Sequence, residues 1–188
     1  VKITTALVII VLLMAFFGSL ECANKKAEND DYRVAISGNV GVAINFKEPG
    51  GFETFGVEGL RYSKSNIMSV SYLYKQEWDT FSSNPSYESM NYLSFMFGKY
   101  GSLGIMFFQL QAGISVNFGL IRGEFVESNK LGDLYFLERE STFGLPIKLG
   151  VKFELSEHWR FGLNFNANIN NYESLFIPMF SLEYGKIR

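Results

Sequence analysis

Side chains able to do chemistry are sparse in this sequence. There is one histidine, His158, flanked by Ser156 and Glu157. Serine and histidine are the residue types of a nucleophile and its general base, but these residues occupy a polar turn between two strand-like stretches, where His158 reads as a solvated turn residue. Histidine clusters and metal-spaced ligands are absent, and the single cysteine, Cys22, lies in an N-terminal leader, so the remaining chain has no disulfide framework or thiolate site. No cofactor and no enzymatic activity are expected. What stands out instead is charge in positions that alternation turns inward: Glu58 and Lys148 near the middle of their strands, with Lys152, Glu154 and Glu183 lower down. Charge in a confined interior must be paired to offset its desolvation.

The elements that would position these groups are strands. In Phe143 to Ile169, Phe143, Leu145, Ile147, Leu149, Val151, Phe153 and Leu155 share one parity, and after the turn at Ser156 to His158 the alternation resumes with Trp159, Phe161, Leu163, Phe165, Ala167 and Ile169. Period two is the strand period. The same rule predicts strands over about Tyr32–Phe46, Phe52–Tyr62, Met68–Trp78, Met90–Gly98, Phe108–Leu120 and Leu175–Tyr184. The second is the least regular, since Phe55 and Val57 point to one parity and Leu60 and Tyr62 to the other; a bulge near Gly59 would reconcile them. Lys99 to Gly104 reads as a compact turn, and Glu124 to Ser141 as a long charged loop.

Eight strands of about 9 to 15 residues exceed the ~5 to 6 usual in soluble proteins and suit a tilted membrane crossing of ~9 to 11. The expected fold is therefore all-β, an eight-stranded antiparallel up-and-down transmembrane β-barrel. The polar parity is dominated by small residues, such as Gly113, Ser115, Asn117 and Gly119, as a crowded interior requires. Strands two and six stand opposite one another in such a ring, which brings Glu58 and Lys148 into one lumen network. Its expected role is to plug and rigidify the barrel; a narrow gated channel is the alternative. Tyr32, Tyr62, Trp159 and Tyr184 are expected at one membrane interface and Trp78 at the other, as aromatic girdles. A soluble periplasmic barrel of the lipocalin kind, holding a small apolar ligand, would share the alternation with its faces reversed.

Composition agrees. The aromatic fraction is 16%, with 19 Phe and 10 Tyr, and the net charge of −2 with no basic patch gives no reason to expect nucleic acid. Residues 1–23 read as a signal peptide with an apolar core from Ala6 to Phe17, too short to span a bilayer as a helix, and Glu21 directly before Cys22 argues against a lipid-modified cysteine. Residues 24–31 form a polar periplasmic tail, and residues 32–188 the barrel, placed in the cell outer membrane. Connections alternate between long and short, as expected of extracellular loops and periplasmic turns.

From Tyr32 onward the chain resembles the small eight-stranded outer-membrane barrels of the OmpA and OmpX type, and the outer-membrane β-barrel domain proteins common in Bacteroidetes. The resemblance rests on strand pattern, loop asymmetry and the stretches Pro146-Ile-Lys-Leu-Gly150 and Leu155-Ser-Glu-His-Trp159. It implies outer-membrane lipid as solvent and the barrel assembly machinery as a partner during insertion. It also implies that a hydrolytic serine and histidine would lie near the outer face, whereas His158 lies in a predicted periplasmic turn. For an extracellular partner, the loop residues Tyr87, Leu134, Tyr135 and Phe136 are the contact candidates, because they are apolar where a loop is normally polar.

Overall fold

A computed structural model of the chain describes residues 32–45, 51–77, 88–129 and 132–185. It contains eight strands: β1 (Tyr32–Asn45), β2 (Gly51–Ser63), β3 (Asn66–Glu77), β4 (Ser89–Leu103), β5 (Met106–Asn129), β6 (Gly132–Glu154), β7 (Trp159–Asn170) and β8 (Ser174–Gly185). Each pairs antiparallel with the next, and β8 pairs with β1, so the sheet closes on itself without an edge through the body of the barrel. The proposed leader and tail, Phe46, Trp78 and Tyr87 lie outside the described residues.

Register fixes the shape. Partners followed once round the ring run Val34, Arg61, Met68, Phe97, Ala112, Ile147, Ala167, Phe176 and back to β1 at Ile44, a displacement of ten residues. Ten residues of stagger over eight strands tilts them by roughly 40° and leaves a backbone radius on the order of 8 Å, room for side chains and little else.

One parity lines that interior and the other faces out. Inward lie Ser37, Glu58, Ser69, Lys75, Gln109, Gln111, Asn117, Lys148, Lys152, Asn164 and Glu183, all buried; outward lie Ile36, Val40, Phe95, Ile114, Leu145, Leu149, Leu163 and Phe180, all exposed. Phe143 reaches 80% exposure. This is the reverse of a soluble barrel with an apolar cavity. Interior crowding explains the small residues of the inward parity: a Cβ on Gly150 would stand 2.6 Å from Gln109 Cγ and Asn164 Oδ1.

Four expectations are corrected. β2 carries no bulge at Gly59, since its register with β1 and β3 is continuous; Leu60 and Tyr62 point inward. Tyr62, expected at the membrane interface, is 3% exposed inside the barrel. The turn expected over Lys99 to Gly104 is only Gly104 and Ile105, with Gly104 in the left-handed region at φ 61°, where a side chain is strained. Finally, Glu124 to Asn129 continues β5 and Gly132 to Ser141 continues β6 as a paired hairpin, with register shifts between Arg122 and Glu127. β5 pairs with β4 only up to Leu120, and β6 with β7 only from Gly144, so the hairpin stands beyond the ring.

Candidate functional site

The interior is arranged in levels. At the end with the short turns, Glu183 on β8 accepts from Tyr62 Oη at 2.9 Å, Lys152 Nζ at 2.5 Å and Arg160 Nη1 at 3.1 Å. Three donors from β2, β6 and β7 therefore converge on one carboxylate. Glu154 lies 3.6 Å from Arg160 at the edge of this group. The Arg160 guanidinium sits 3.8 Å above the Phe107 ring, which stacks with Tyr100 at 5.1 Å between centroids. With Ala35, Leu60 and Ile67 these rings fill the cross-section. A cation on an aromatic face, bonded to a desolvated carboxylate, is held more firmly than either contact alone provides.

Halfway up, Lys148 Nζ bonds Glu58 across the barrel, and both side chains are buried. Around them runs a belt of amides and hydroxyls: Ser69 Oγ donates to Gln111 at 2.7 Å, Gln109 Nε2 to Asn164 at 3.2 Å, and Asn164 Nδ2 to Asn39 at 2.9 Å. Above it, Ala43, Phe52, Met90, Tyr92, Leu175, Ile177 and Met179 form a second apolar cluster. At the far mouth, Glu173 in the turn between β7 and β8 takes Lys75 Nζ at 2.5 Å and the Tyr92 hydroxyl. Asn170 Oδ1 shapes that turn by accepting from the backbone N–H groups of Tyr172 and Glu173 at 3.0 and 2.8 Å. Arg122 bonds Glu77 at 2.5 Å, and its backbone N–H is capped by Glu88 Oε1 at 3.1 Å.

The structure thus brings Glu58 to Lys148, and Lys152 to Glu183, with Glu154 beside Arg160. Sequence reasoning missed Lys75, Glu77, Arg122, Arg160 and Glu173. Lys75 shares a parity with Ser69 and Arg160 with Gly162, which marks both as inward; Glu173 sits in a turn and carries no such signal. Trp159 and Tyr184 pack together on the outside at 4.7 Å, with His158 stacked on Tyr184 at 6.1 Å. His158 is exposed at the short-turn end, and Ser156 Oγ accepts from the His158 and Trp159 backbone N–H groups, so the hydroxyl serves the turn.

On the hairpin, Tyr135 meets Phe125 edge-on at 5.7 Å and lies under Arg122 at 5.6 Å. Phe136, Leu137, Phe125 and Val126 are exposed, while Leu134 is half-buried. Among the described residues no group of three His, Cys, Asp or Glu side chains is placed to hold a metal ion.

Comparison with solved structures returns small outer-membrane barrels. The fold is similar to that of Neisserial surface protein A, NspA, with TM-score 0.58 and 10% identity over 84% of this chain and 97% of that one. The N-terminal β-barrel domain of Pseudomonas aeruginosa OprF gives TM-score 0.58 and 10% identity over 84% of this chain and 99% of that one. Ail, the attachment invasion locus protein of Yersinia pestis, in complex with the heparin analogue sucrose octasulfate, gives TM-score 0.56 and 10% identity over 83% and 98%. At such identity the likeness is one of fold. No family model and no curated protein sequence matches the chain.

Proposed function

We propose that this chain is an integral outer-membrane barrel with a plugged lumen, which acts as a structural envelope component and presents the β5–β6 hairpin to an extracellular partner. The observation that carries the membrane location is the inverted distribution of side chains: lysines and glutamates buried, and large apolar side chains exposed on every strand. Burying unpaired charge costs free energy and exposing this much apolar surface to water costs more, so the arrangement is favourable only with hydrocarbon outside. The outward polar residues agree. Arg61 and Glu53 on β2, and Lys99 and Asn91 on β4, stand eight residue steps apart, which at ~3.3 Å per step and ~40° of tilt spans about 20 Å along the barrel axis, close to the height of a membrane apolar band.

The plug is supported by the two apolar clusters and by the charge pairs between and beyond them. Its test is conductance in planar bilayers: wild type and Lys148→Ala are both expected to be silent, and opening in the variant would make the pair a gate.

Partner binding rests on the apolar residues of the hairpin, held beyond the ring. From Glu124 to Ser141 the sequence carries five acidic residues and two basic ones, a charge that suits a cationic partner rather than a polyanion. The location is tested by heat-modifiable migration of the protein from an outer-membrane fraction: a compact unboiled form that shifts on boiling is expected, and a soluble periplasmic protein with no shift would overturn the reading.

A further inference from the structure

We infer that the short-turn rim of the barrel binds anionic phospholipid headgroups on its β2 to β4 sector, through Arg61, Lys64 and Lys99; this rests on the membrane reading above. Lys64, in the turn between β2 and β3 at φ 52°, and Lys99, near the turn end of β4, are exposed, and Arg61 is half-buried on the outward parity of β2. Asn66 stands opposite Ser63 on one side and Lys99 on the other, and Asn66 Oδ1 accepts from Lys99 Nζ at 2.6 Å. Neighbouring strands lie ~4.8 Å apart, so the backbones carrying the three cations fall within roughly 12 Å of one another.

The apolar wall begins directly beside them. Arg61 is in register with Met68, and Met68 with Phe97, both exposed to the outside. Cationic heads on long stems at the foot of such a wall meet a lipid at the boundary between acyl chain and phosphate. The rim is also one-sided among the described residues. Among the described residues, its β6 to β8 sector presents Leu155, Glu157, His158, Trp159 and Tyr184 outward, with no lysine or arginine. At the opposite rim the same three strands present Glu53, Gln76 and Asn91 outward, again with no cation. Three like charges repel the ammonium of a zwitterionic headgroup and attract a net-negative one, which sets the class as anionic phospholipid, such as phosphatidylglycerol.

The test is lipid selectivity at the barrel surface. Wild type and an Arg61→Gln/Lys64→Gln/Lys99→Gln variant are reconstituted in phosphatidylcholine vesicles, and the motionally restricted fraction of spin-labelled phosphatidylglycerol is compared with that of spin-labelled phosphatidylcholine. Wild type is expected to favour phosphatidylglycerol by about threefold or more, a preference that fades as salt is raised and falls to about one in the variant. Equal association in wild type, or a preference that the variant keeps, would overturn the site. Loss of the preference on adding inorganic phosphate at constant ionic strength would assign the cations to free phosphate and also overturn it. The wild-type lipid comparison and its salt dependence stand without the variant. Failure of wild type to enter vesicles at all would instead overturn the membrane reading.

Discussion

Glu173, in the turn between β7 and β8, accepts a hydrogen bond at 2.5 Å from Lys75 on β3, on the far side of the barrel mouth, and both side chains are fully buried. Tyr92 on β4 shares the same carboxylate. The turn is thereby strapped across the opening. Replacing Glu173 with Ala leaves Lys75 buried, beside the Phe52 ring at 4.1 Å but without its anion, and is expected to cost about 3–5 kcal/mol. Urea unfolding in detergent micelles would show this as a lower midpoint; an unchanged midpoint would mean that the strap contributes nothing.

Glu58 and Lys148 make a second prediction with a different shape. Glu58→Ala alone strands a lysine in the middle of the barrel, whereas Glu58→Gln with Lys148→Met removes both charges and keeps the volume. The double variant is expected to unfold at higher urea than the single one, because a missing partner costs more than a missing pair. If the two variants unfold together, water reaches the pair and the interior is not sealed.

Outside, the sign reverses relative to a soluble protein. Leu149 faces out near mid-height of the apolar band, and Leu149→Arg is expected to destabilise the folded barrel by about 2–4 kcal/mol, with much less for Tyr184→Arg at the rim. Stability from urea titration in lipid vesicles reads this directly. A neutral Leu149→Arg would place water outside the barrel.

The hairpin beyond the ring is expected to be dispensable for folding. The described residues from Glu124 to Arg139 pair only across the β5–β6 seam, with no partner on β4 or β7. Joining Gly123 to Glu140 through a short turn should leave the heat-modifiable shift intact while abolishing binding to any surface partner. Loss of the shift would show that the hairpin nucleates closure of the ring.

Much of this was legible in the sequence, and the failures have physical causes. Alternation marked β5, β6 and β7 because the exposed outward residue is large and apolar there and a small polar one faces a crowded interior. It failed on β2 because the interior is itself apolar at the short-turn end: Leu60 and Tyr62 are large and inward, beside Ile67 and Phe107, so hydrophobicity no longer distinguishes the two faces. Residues 124–141 read as a loop because a two-stranded hairpin beyond the ring packs neither face on a core and so owes no alternation. The Glu58–Lys148 pair could be placed from strand order alone, since strands two and six oppose one another. The Lys75–Glu173 pair could not, because a turn residue has no parity, and its inward course is set by Asn170.

The ten-residue stagger of the ring carries a consequence for how such a chain can change over generations. Ten is even, so inward stays inward all the way round, across the seam between β8 and β1. Adding or removing one residue inside a strand would swap polar and apolar faces from that point to the next turn. Length variation is therefore barred from the wall and confined to the connections and to the β5–β6 hairpin, where register shifts are already accommodated. The wall is a fixed frame, and the hairpin is the cassette in which novelty can be tried without dismantling it.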